Sequence, residues 1–598
     1  MINHLIELSL KHRWLVLLLS IAVTLVCLHS LKDTQLDAIP DLSDVQVVVK
    51  TSYPGQAPAV VEEQVTYPLS STLLSVPKTK SVRGFSFFGD SYIYIVFEEG
   101  TDPYWARSRV LEYLNQAQGQ LPDDVQPMLG PDASGVGWIY QYALVDRTGK
   151  HNLGELTRIQ NWYLKQGLQS VKGVAEVARV GGMVETYQVV VEPSQLRRYQ
   201  LSLSDVTSAI QNANAEVGGS VVEMAEAEYM VRGLGYLQSI DDFRSLPIGK
   251  PSAHDGIITL GDVAHIRIGP ELRRGVADLN GQGEVVGGII VMRYDSNALK
   301  TINGVKAKLA ELAQGLPEGV EIVPTYDRSE LINASVDNLS SKLVEEMVFV
   351  AVICFIFLLH ARSTLVAVIS LPLSVLIALW IMNLMGITAN IMSLGGIAIA
   401  IGALVDAAIV MIENAHKHLQ AYEHTHQRQP QGNERQRVLL AACTEVGGSL
   451  FFSLLIITVS FLPIFALQGQ QGRLFEPLAY TKTLAMASAA LLAITLIPVL
   501  IGFFIRGKIP KEETNPLTRL LVWLYRPLLN SALQWPKITI VLAIAITASA
   551  AYPWQKLGYE LMPPLYEGDL MYMPTTLPGI SVEEASQLLQ QTDKLIAQ

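Results

Sequence analysis

Residues 387–412 read ITANIMSLGGIAIAIGALVDAAIVMI, and this stretch decides the fold because it is apolar over the length of a membrane crossing. About 20 apolar residues span the hydrocarbon core of a bilayer. Asp406 is the only charged residue in the stretch. A carboxylate there costs at least about 2.5–3.5 kcal/mol, so it marks an ion or proton pathway unless it is paired to a neighbouring helix only for packing. We interpret Asp406 as part of a proton pathway.

The composition predicts a membrane protein. Of the 598 residues, 50% are hydrophobic and only 17% are charged, which is unusual for a soluble domain. The net charge of −11 argues against nucleic acid as a partner, since nucleic-acid binding requires a basic surface. The three cysteines, Cys27, Cys354 and Cys443, all lie in or beside apolar stretches. The long polar region between the first two apolar stretches therefore has neither disulfides nor thiolate metal ligands.

Seven segments are apolar enough to be predicted as transmembrane: 14–31, 347–360, 364–385, 387–412, 439–467, 484–504 and 538–553. The first follows Lys11 and Arg13 and is not followed by a cleavage signal, which indicates an uncleaved anchor. Lys and Arg are concentrated in the loops that are cytoplasmic if the N-terminus is inside. Residues 33–338 are then a large domain on the outer side of the membrane.

The predicted domain organisation follows from these segments. It comprises a first transmembrane helix (1–32), an external region (33–338), transmembrane helices two to six with a cytoplasmic segment near 416–437 (339–510), a cytoplasmic linker (511–537), a seventh helix (538–556) and the start of a second external region (557–598). In the external region, periodicity predicts strands at 45–53, 91–97, 186–191 and 285–293 and helices at 57–75, 103–118, 203–213 and 301–312. This alternation predicts small α/β sandwiches of βαβ type.

An internal repeat follows the first and the seventh apolar helix. Residues 39–63 (IPDLSDVQVVVKTSYPGQAPAVVEE) and 562–584 (MPPLYEGDLMYMPTTLPGISVEE) share Pro-x-Leu, a predicted strand, Pro-Gly and a helix entered through Val-Glu-Glu. Many transporters are built from two such halves. The second copy stops within its helix at Gln598, so we expect the chain to be the N-terminal part of a longer, duplicated transporter.

The sequence has no motif of an enzyme. It contains no G-x-x-x-x-G-K-[ST] phosphate loop, no H-E-x-x-H and no G-x-S-x-G, which disfavours ATP as the energy source and hydrolysis as the chemistry. We predict a secondary transporter without a cofactor.

Three stretches, 37–58 (DAIPDLSDVQVVVKTSYPGQAP), 100–116 (GTDPYWARSRVLEYLNQ) and 390–417 (NIMSLGGIAIAIGALVDAAIVMIENAHK), resemble the heavy-metal branch of the resistance-nodulation-division (RND) efflux pumps. The resemblance extends over the whole chain. It implies an α-helical membrane bundle with periplasmic porter and docking subdomains, here truncated. It also implies a homotrimer in the bacterial inner membrane that is driven by proton influx and works with a periplasmic membrane-fusion adaptor and an outer-membrane channel.

In that family Asp406 matches the fourth-helix aspartate of the proton relay, whose partners would lie beyond Gln598. Ala398, Gly402 and Asp406 are four residues apart and so share a helix face. We expect Gly395, Gly396 and Gly402 to allow close approach of a counterpart helix, since small residues do so in membranes. Glu413 is either a proton exit on that face or, the interpretation we favour, a helix-end acid near His416 and Lys417.

Metal selectivity depends on the ligands. Thioethers select Cu(I) and Ag(I), whereas carboxylates suit harder divalent ions. The divalent branch of the family has a second acid at the position of Ala400, whereas the copper/silver branch has a porter methionine at the position of Met573. Met571 shares a predicted strand face with Met573 but the resemblance gives it no role. A path of methionines through the membrane and up to the porter is also proposed for that branch. Three of its positions hold methionine here, Met392, Met411 and Met486. At three others a different residue stands in place of methionine: Leu272, Leu404 and Ile501.

The favoured hypothesis is proton-driven efflux of Cu(I) and Ag(I), with Met573 as a metal ligand. Efflux of divalent zinc, cobalt or cadmium by the same kind of pump is the first alternative, and Ala400 opposes it. A non-transporting membrane receptor or scaffold with the same fold is the second, and Asp406 in an uncharged helix disfavours it.

Overall fold

The computed structural model describes residues 2–31, 34–37, 39–248, 257–507, 515–558, 568, 570–577 and 579–598. It begins with α1 (Ile2–Lys11) and α2 (Arg13–Leu31). In the apolar helix α2 only Cys27 is buried, and the other side chains are exposed or half-buried. The apolar segment predicted at 14–31 is therefore a helix, and it is long and apolar enough to cross a membrane.

The first external unit is a four-stranded antiparallel sheet covered by helices. Its elements are β1 (Gln46–Ser52), α3 (Pro58–Val61), a π-helical turn (Glu62–Thr66), α4 (Tyr67–Leu73), β2 (Thr79–Phe87), β3 (Asp90–Phe97), α5 (Pro103–Ala117), a 3₁₀ turn (Gln118–Gln120) and β4 (Pro127–Leu129). The spatial order β2-β3-β1-β4 is that of a split βαβ fold. Alternate residues of β3, Ile93, Ile95 and Phe97, are buried under the helices.

A second unit repeats this topology and carries an insertion. Its elements are β5 (Trp138–Asp146), α6 (Leu153–Arg158), a π-helical turn (Ile159–Leu164), α7 (Lys165–Gln169), β6 (Val174–Gly181), β7 (Glu185–Val191), α8 (Pro193–Arg198), α9 (Leu203–Ala213), β8 (Val217–Met224), β9 (Ala227–Gly233), α10 (Ile240–Ser245), α11 (Leu260–Val263), β10 (Ala264–Pro270), β11 (Val286–Met292), α12 (Ala298–Ala313) and β12 (Val320–Asp327). The sheet order is β12-β5-β11-β6, and everything from β7 to β10 is inserted between the second and third strands. Within the insertion β7 pairs with β10, and β8 with β9 in a fully exposed hairpin.

The sequence therefore predicted the architecture of the external region correctly but not every strand. The strands predicted at 45–53, 91–97, 186–191 and 285–293 and the four predicted helices are present, with ends shifted by a few residues. The prediction omitted β2, β4, β5, β6, β10, β12 and the β8–β9 hairpin. Several of these strands are stabilised by pairing to distant parts of the chain, such as β12 to β5, which local periodicity does not reveal.

The membrane region and the end of the chain are helical. The helices are α13 (Arg328–Leu358), α14 (Ala361–Leu384), α15 (Ile391–His426), α16 (Gly432–Val459) with a following 3₁₀ turn (Leu462–Ala466), α17 (Gly469–Ile494), α18 (Leu496–Phe504), α19 (Pro516–Gln534), α20 (Pro536–Ser549), α21 (Ala551–Trp554) and α22 (Val582–Ile596). Among the described residues, six helices are long and apolar enough to cross a membrane, whereas seven were predicted. The remaining segment, 347–360, is the end of α13, whose uncharged part after Glu346 is too short.

The helix of the opening stretch starts later and ends later than predicted. It begins at Ile391 because Asn390 caps it, its Oδ1 accepting the N–H of Ser393 at 3.1 Å. It continues through the predicted cytoplasmic segment to His426. α15 lies at the centre of the largest apolar core, between α14, α16 and α17.

One further segment of this region differs from the prediction. The segment 484–504 is not one helix, because α17 ends at Ile494 and α18 starts at Leu496. Pro498 explains the break, since its ring excludes the carbonyl of residue 494 and it has no N–H to donate. The predicted linker at 511–537 contains α19, whose side chains are exposed or half-buried.

The internal repeat is confirmed in its turn and helix. Gly55 and Gly579 both have positive φ, +78° and +88°, and each is followed by a helix. A side chain would strain both turns, which accounts for glycine in both copies. The strand predicted in the second copy is absent from residues 570–577, which pair with no other strand. Residues 562–567, 569 and 578 of the second copy, the last of which is the proline of its Pro-Gly, lie outside the described residues.

Candidate functional site

Asp406 lies on an open face of α15. Its neighbours Val405 and Ala407 are buried in the core, whereas Asp406 itself is exposed. Ala398 and Gly402 are exposed too, so the predicted common face exists. No described side chain donates a hydrogen bond to the Asp406 carboxylate or forms an ion pair with it.

The glycines of α15 divide between two faces. A Cβ built on Gly395 or Gly402 meets no atom within 4 Å. On Gly396, by contrast, it would lie 2.6 Å from the carbonyl oxygen of Leu478 and 3.1 Å from Cβ of Thr481, both in α17. The prediction that all three glycines await a counterpart helix is therefore wrong for Gly396, which already packs against α17.

Glu413 forms an ion pair with Lys417 one turn later, Oε1 to Nζ, at 2.5 Å. Both side chains are substantially exposed. This is an ordinary i,i+4 pair at the end of a helix, and it agrees with the interpretation of Glu413 as a helix-end acid.

Ala400, where the divalent branch has an acid, is completely buried in the helical core. It lies six residues before Asp406, so the helical rotation of 100° per residue places it on a different face. An acidic side chain at this position would enter the apolar core of this chain.

The structure does not bring metal ligands together around Met573. Met573 and Met571 are 75% and 84% exposed and lie in a segment without strand structure, so the predicted shared strand face is absent. Met411 and Met486 are fully buried in the same core cluster as Leu404 and Ile501, and Met392 is half-buried. Leu272 is exposed in the external region. The described residues contain no cluster of three or more His, Cys, Asp or Glu that would fit a metal.

Two polar arrangements were not foreseen in the sequence. At the start of α14, Ser363 Oγ hydrogen-bonds to His360 Nδ1 at 2.6 Å and to His416 Nε2 at 2.8 Å. His is not among the residues usually found at an N-cap, so the sequence did not indicate the first contact. At the outer end, Arg473 of α17 binds the loop before β1. No sequence signal predicts a contact between residues 430 apart.

Comparisons with known proteins place this chain in a family. Residues 5–598 match the AcrB/AcrD/AcrF family. The chain belongs to this family of RND transporters. The resemblance found in the sequence is therefore confirmed over almost the whole chain.

Relatives and a solved structure agree with this assignment to the AcrB/AcrD/AcrF family. The chain is 58% identical to the cation efflux system protein CusA of Escherichia coli (strain K12) over 597 residues, which are 100% of this chain and 57% of that protein. It is 57% identical over the same shares to the putative cation efflux system protein SilA of Salmonella typhimurium. An X-ray crystal structure of a heavy metal efflux pump superposes with a TM-score of 0.83 at 29% identity, covering 98% of this chain and 56% of that one. The chain thus spans about half the length of the relatives it matches.

Proposed function

We propose that this chain acts within a proton-driven exporter of Cu(I) and Ag(I). Here "the whole protein" means this chain together with the remaining length that its relatives have. Export of cations is supported by the names of the two relatives, both cation efflux proteins, at 57–58% identity. Sequence identity to these two proteins does not by itself identify the ion that is exported. The selectivity is therefore inferred from the candidate ligand residues.

The open face of α15 carries the energy-coupling part of the proposal. Asp406 is exposed on the same face as Ala398 and Gly402, which lie two turns and one turn before it, and at Gly402 another helix can approach closely. A carboxylate on such a face needs a partner in the membrane, and protonation removes that need. Taking up a proton from the outer side therefore changes the free energy of packing between α15 and the helix that covers it, and the two helices shift. The counterpart is proposed to come from the second half of the whole protein.

The selectivity for soft monovalent ions depends on Met573. Its thioether is exposed and faces no apolar core, so packing does not explain a methionine there. A thioether binds Cu(I) and Ag(I) in preference to Zn²⁺ or Co²⁺. The burial of Ala400 in the core supports the same choice, because no acid is available at that position for a divalent ion.

The assembly is proposed from the family. The whole protein would be a homotrimer in the inner membrane with its external units in the periplasm. A periplasmic adaptor and an outer-membrane channel would complete the export path.

Asp406→Asn in the whole protein tests the energy coupling. We expect copper and silver tolerance of a pump-deficient host to fall to that of the empty vector, while membrane insertion is unchanged, because asparagine cannot take up the proton. Glu413→Gln is the matched control on the same helix and should keep tolerance. Retained export by the Asp406 variant would contradict the proposal.

Met573→Ile tests the selectivity, with Met571→Ile as the matched control two residues away. The first change should abolish copper and silver tolerance and the second should leave it intact. Neither should alter tolerance of zinc, cobalt or cadmium. Equal tolerance in both variants would overturn the assignment of Met573.

A further inference from the structure

Arg473, near the start of α17, is bound to the first external unit by several contacts. Nη1 donates to the carbonyl oxygen of Ser43 and to that of Leu42 at 3.3 Å. Nη2 lies 3.3 Å from Oδ1 of Asp44, and Nε lies 3.7 Å from Oε1 of Glu99. The side chain is only 18% exposed. A planar guanidinium can serve several acceptors at once in this way, whereas a lysine ammonium is a single point charge.

These contacts hold the two central strands of the first external sheet. Residues 42–44 lead directly into β1, Glu99 follows β3, and β1 pairs with β3. The N–H of Gly469, the first residue of α17, also donates to Oε2 of Glu99 at 2.9 Å. The first turns of α17 are therefore attached to both strands of this pair, just before β1 begins and just after β3 ends.

Further along its length, α17 packs against the helix that carries Asp406. At Gly396 the two helices are so close that there is no space for a Cβ. Asp406 lies ten residues further along α15, about 15 Å at 1.5 Å per residue. Because this contact has no free volume, a displacement of α15 at Gly396 displaces α17 as well.

Pro477 lies between the two attachment points of α17. It is inside the helix and has no N–H for the carbonyl oxygen of Arg473, four residues earlier. The missing backbone hydrogen bond makes a bend of the helix easier at this turn, which joins the contacts with the first external unit to the part that packs against α15. α17 can thus change its angle while both ends remain attached.

We propose that Arg473 is a positioning residue that transmits a displacement of α15, produced at Asp406, to the first external unit. The second external unit is joined covalently to the helical bundle, because β12 continues directly into α13. Among the described residues, the contacts of Arg473 and Gly469 attach α17 to the first unit. The inference rests on the proposed function, because it assumes that Asp406 drives the movement.

The test measures two fluxes in proteoliposomes containing the whole protein, Ag(I) transport and proton transport in the opposite direction. Arg473→Gln should lower the number of Ag(I) ions moved per proton at least tenfold, because protonation of Asp406 continues but is no longer transmitted. Glu476→Gln, an exposed change three residues along the same helix, should keep the normal ratio. A normal ratio in Arg473→Gln, or an equal loss of both fluxes, would overturn the proposal, since a merely structural role does not change the ratio.

Glu99→Gln provides a second variant in case Arg473→Gln does not insert. It leaves the two carbonyl contacts of Arg473 in place and should give a smaller drop in the ratio, with no further drop when both changes are combined. An unchanged ratio in Glu99→Gln would count against the proposal. If Asp406→Asn retains export, the proposed function itself is wrong; if only the Arg473 and Glu99 variants behave normally, the coupling inference alone is wrong.

Discussion

The imidazole rings of His360 and His416 lie edge to face, 5.7 Å apart between centres, and both bond to the hydroxyl of Ser363. His360 also caps α14, because its Nδ1 accepts the N–H of Ser363 at 3.2 Å. Its other nitrogen, Nε2, lies 3.3 Å from the carbonyl oxygen of Arg506, beyond α18. Only a neutral imidazole has a free nitrogen to accept the capping bond. This cluster joins the start of α14 to α15 and to the segment that follows α18.

The first prediction concerns this cap. His360→Ala should destabilise the chain by about 1 kcal/mol, the usual cost of a lost N-cap. His360→Asn should retain most of that stability, since an asparagine oxygen can accept the same N–H. The midpoint of denaturant unfolding in detergent micelles measures both. Equal destabilisation by Ala and Asn would show that the contact with Arg506, rather than the cap, matters.

The second prediction compares two glycines of α15. Gly396→Val should destabilise the chain by about 1–3 kcal/mol more than Gly402→Val, because the added side chain collides with the backbone of α17. Both variants replace glycine by valine in the same helix, so the change in intrinsic helix propensity is the same in each and does not contribute to the difference in stability. Thermal unfolding in detergent measures the stability.

The same pair also tests the proposed covered face. In the whole protein, Gly402→Val should abolish export although it leaves this chain stable. Full export by that variant would mean that no helix approaches α15 closely at Gly402.

The third prediction concerns a largely buried ion pair between the segment after α2 and the start of α13. Arg328 lies 2.8 Å from Asp37 and donates to the carbonyl oxygen of Val136 at 2.5 Å, with its side chain only 5% exposed. Arg328→Met should cost about 3 kcal/mol, since it leaves a buried acid and a carbonyl without this cation. Arg147→Met is the control. Its pair with Glu321 is more than half exposed and should cost less than about 1 kcal/mol. Similar unfolding midpoints for the two variants would contradict this.

What the sequence could predict depended on the range of the interaction. Asp406 and its face follow from apolar length and from a four-residue spacing, which are local. The break at Thr495 is local as well, and Pro498 could have revealed it. The contact of Arg473 with Ser43 and the fit of Gly396 against Leu478 could not be predicted, because they depend on how distant segments are placed in three dimensions. The strand expected around Met573 failed for a related reason: a strand needs a partner, and periodicity does not supply one.

The last prediction concerns pH and the docking of α22 on the second external unit. Asp593 of α22 hydrogen-bonds to Asp278, and burial together with the Asp278 carboxylate raises the pKa of Asp593 above its ordinary 3.8. The N–H groups of Gly281 and Gly283 donate to Asp278, at 2.6 and 3.0 Å, so the shared proton belongs on Asp593. The docked state then binds more protons than the undocked state between the two pKa values of Asp593. Docking is therefore fully stabilised at low pH, and this contribution is lost as the pH rises through the raised pKa.

Hydrogen exchange of the α22 amides, corrected for the intrinsic pH dependence, measures this loss as a decrease in protection. Asp593→Asn should remove the pH dependence while keeping the helix docked, because an amide donates to Asp278 at every pH. Glu583→Gln removes a carboxylate from the exposed start of the same helix and should retain the dependence. The nearby pair of Arg273 with Glu284, which also accepts from Ser586 at 3.1 Å, is left in place by both substitutions. A pH dependence that persists in Asp593→Asn would show that another group controls the docking.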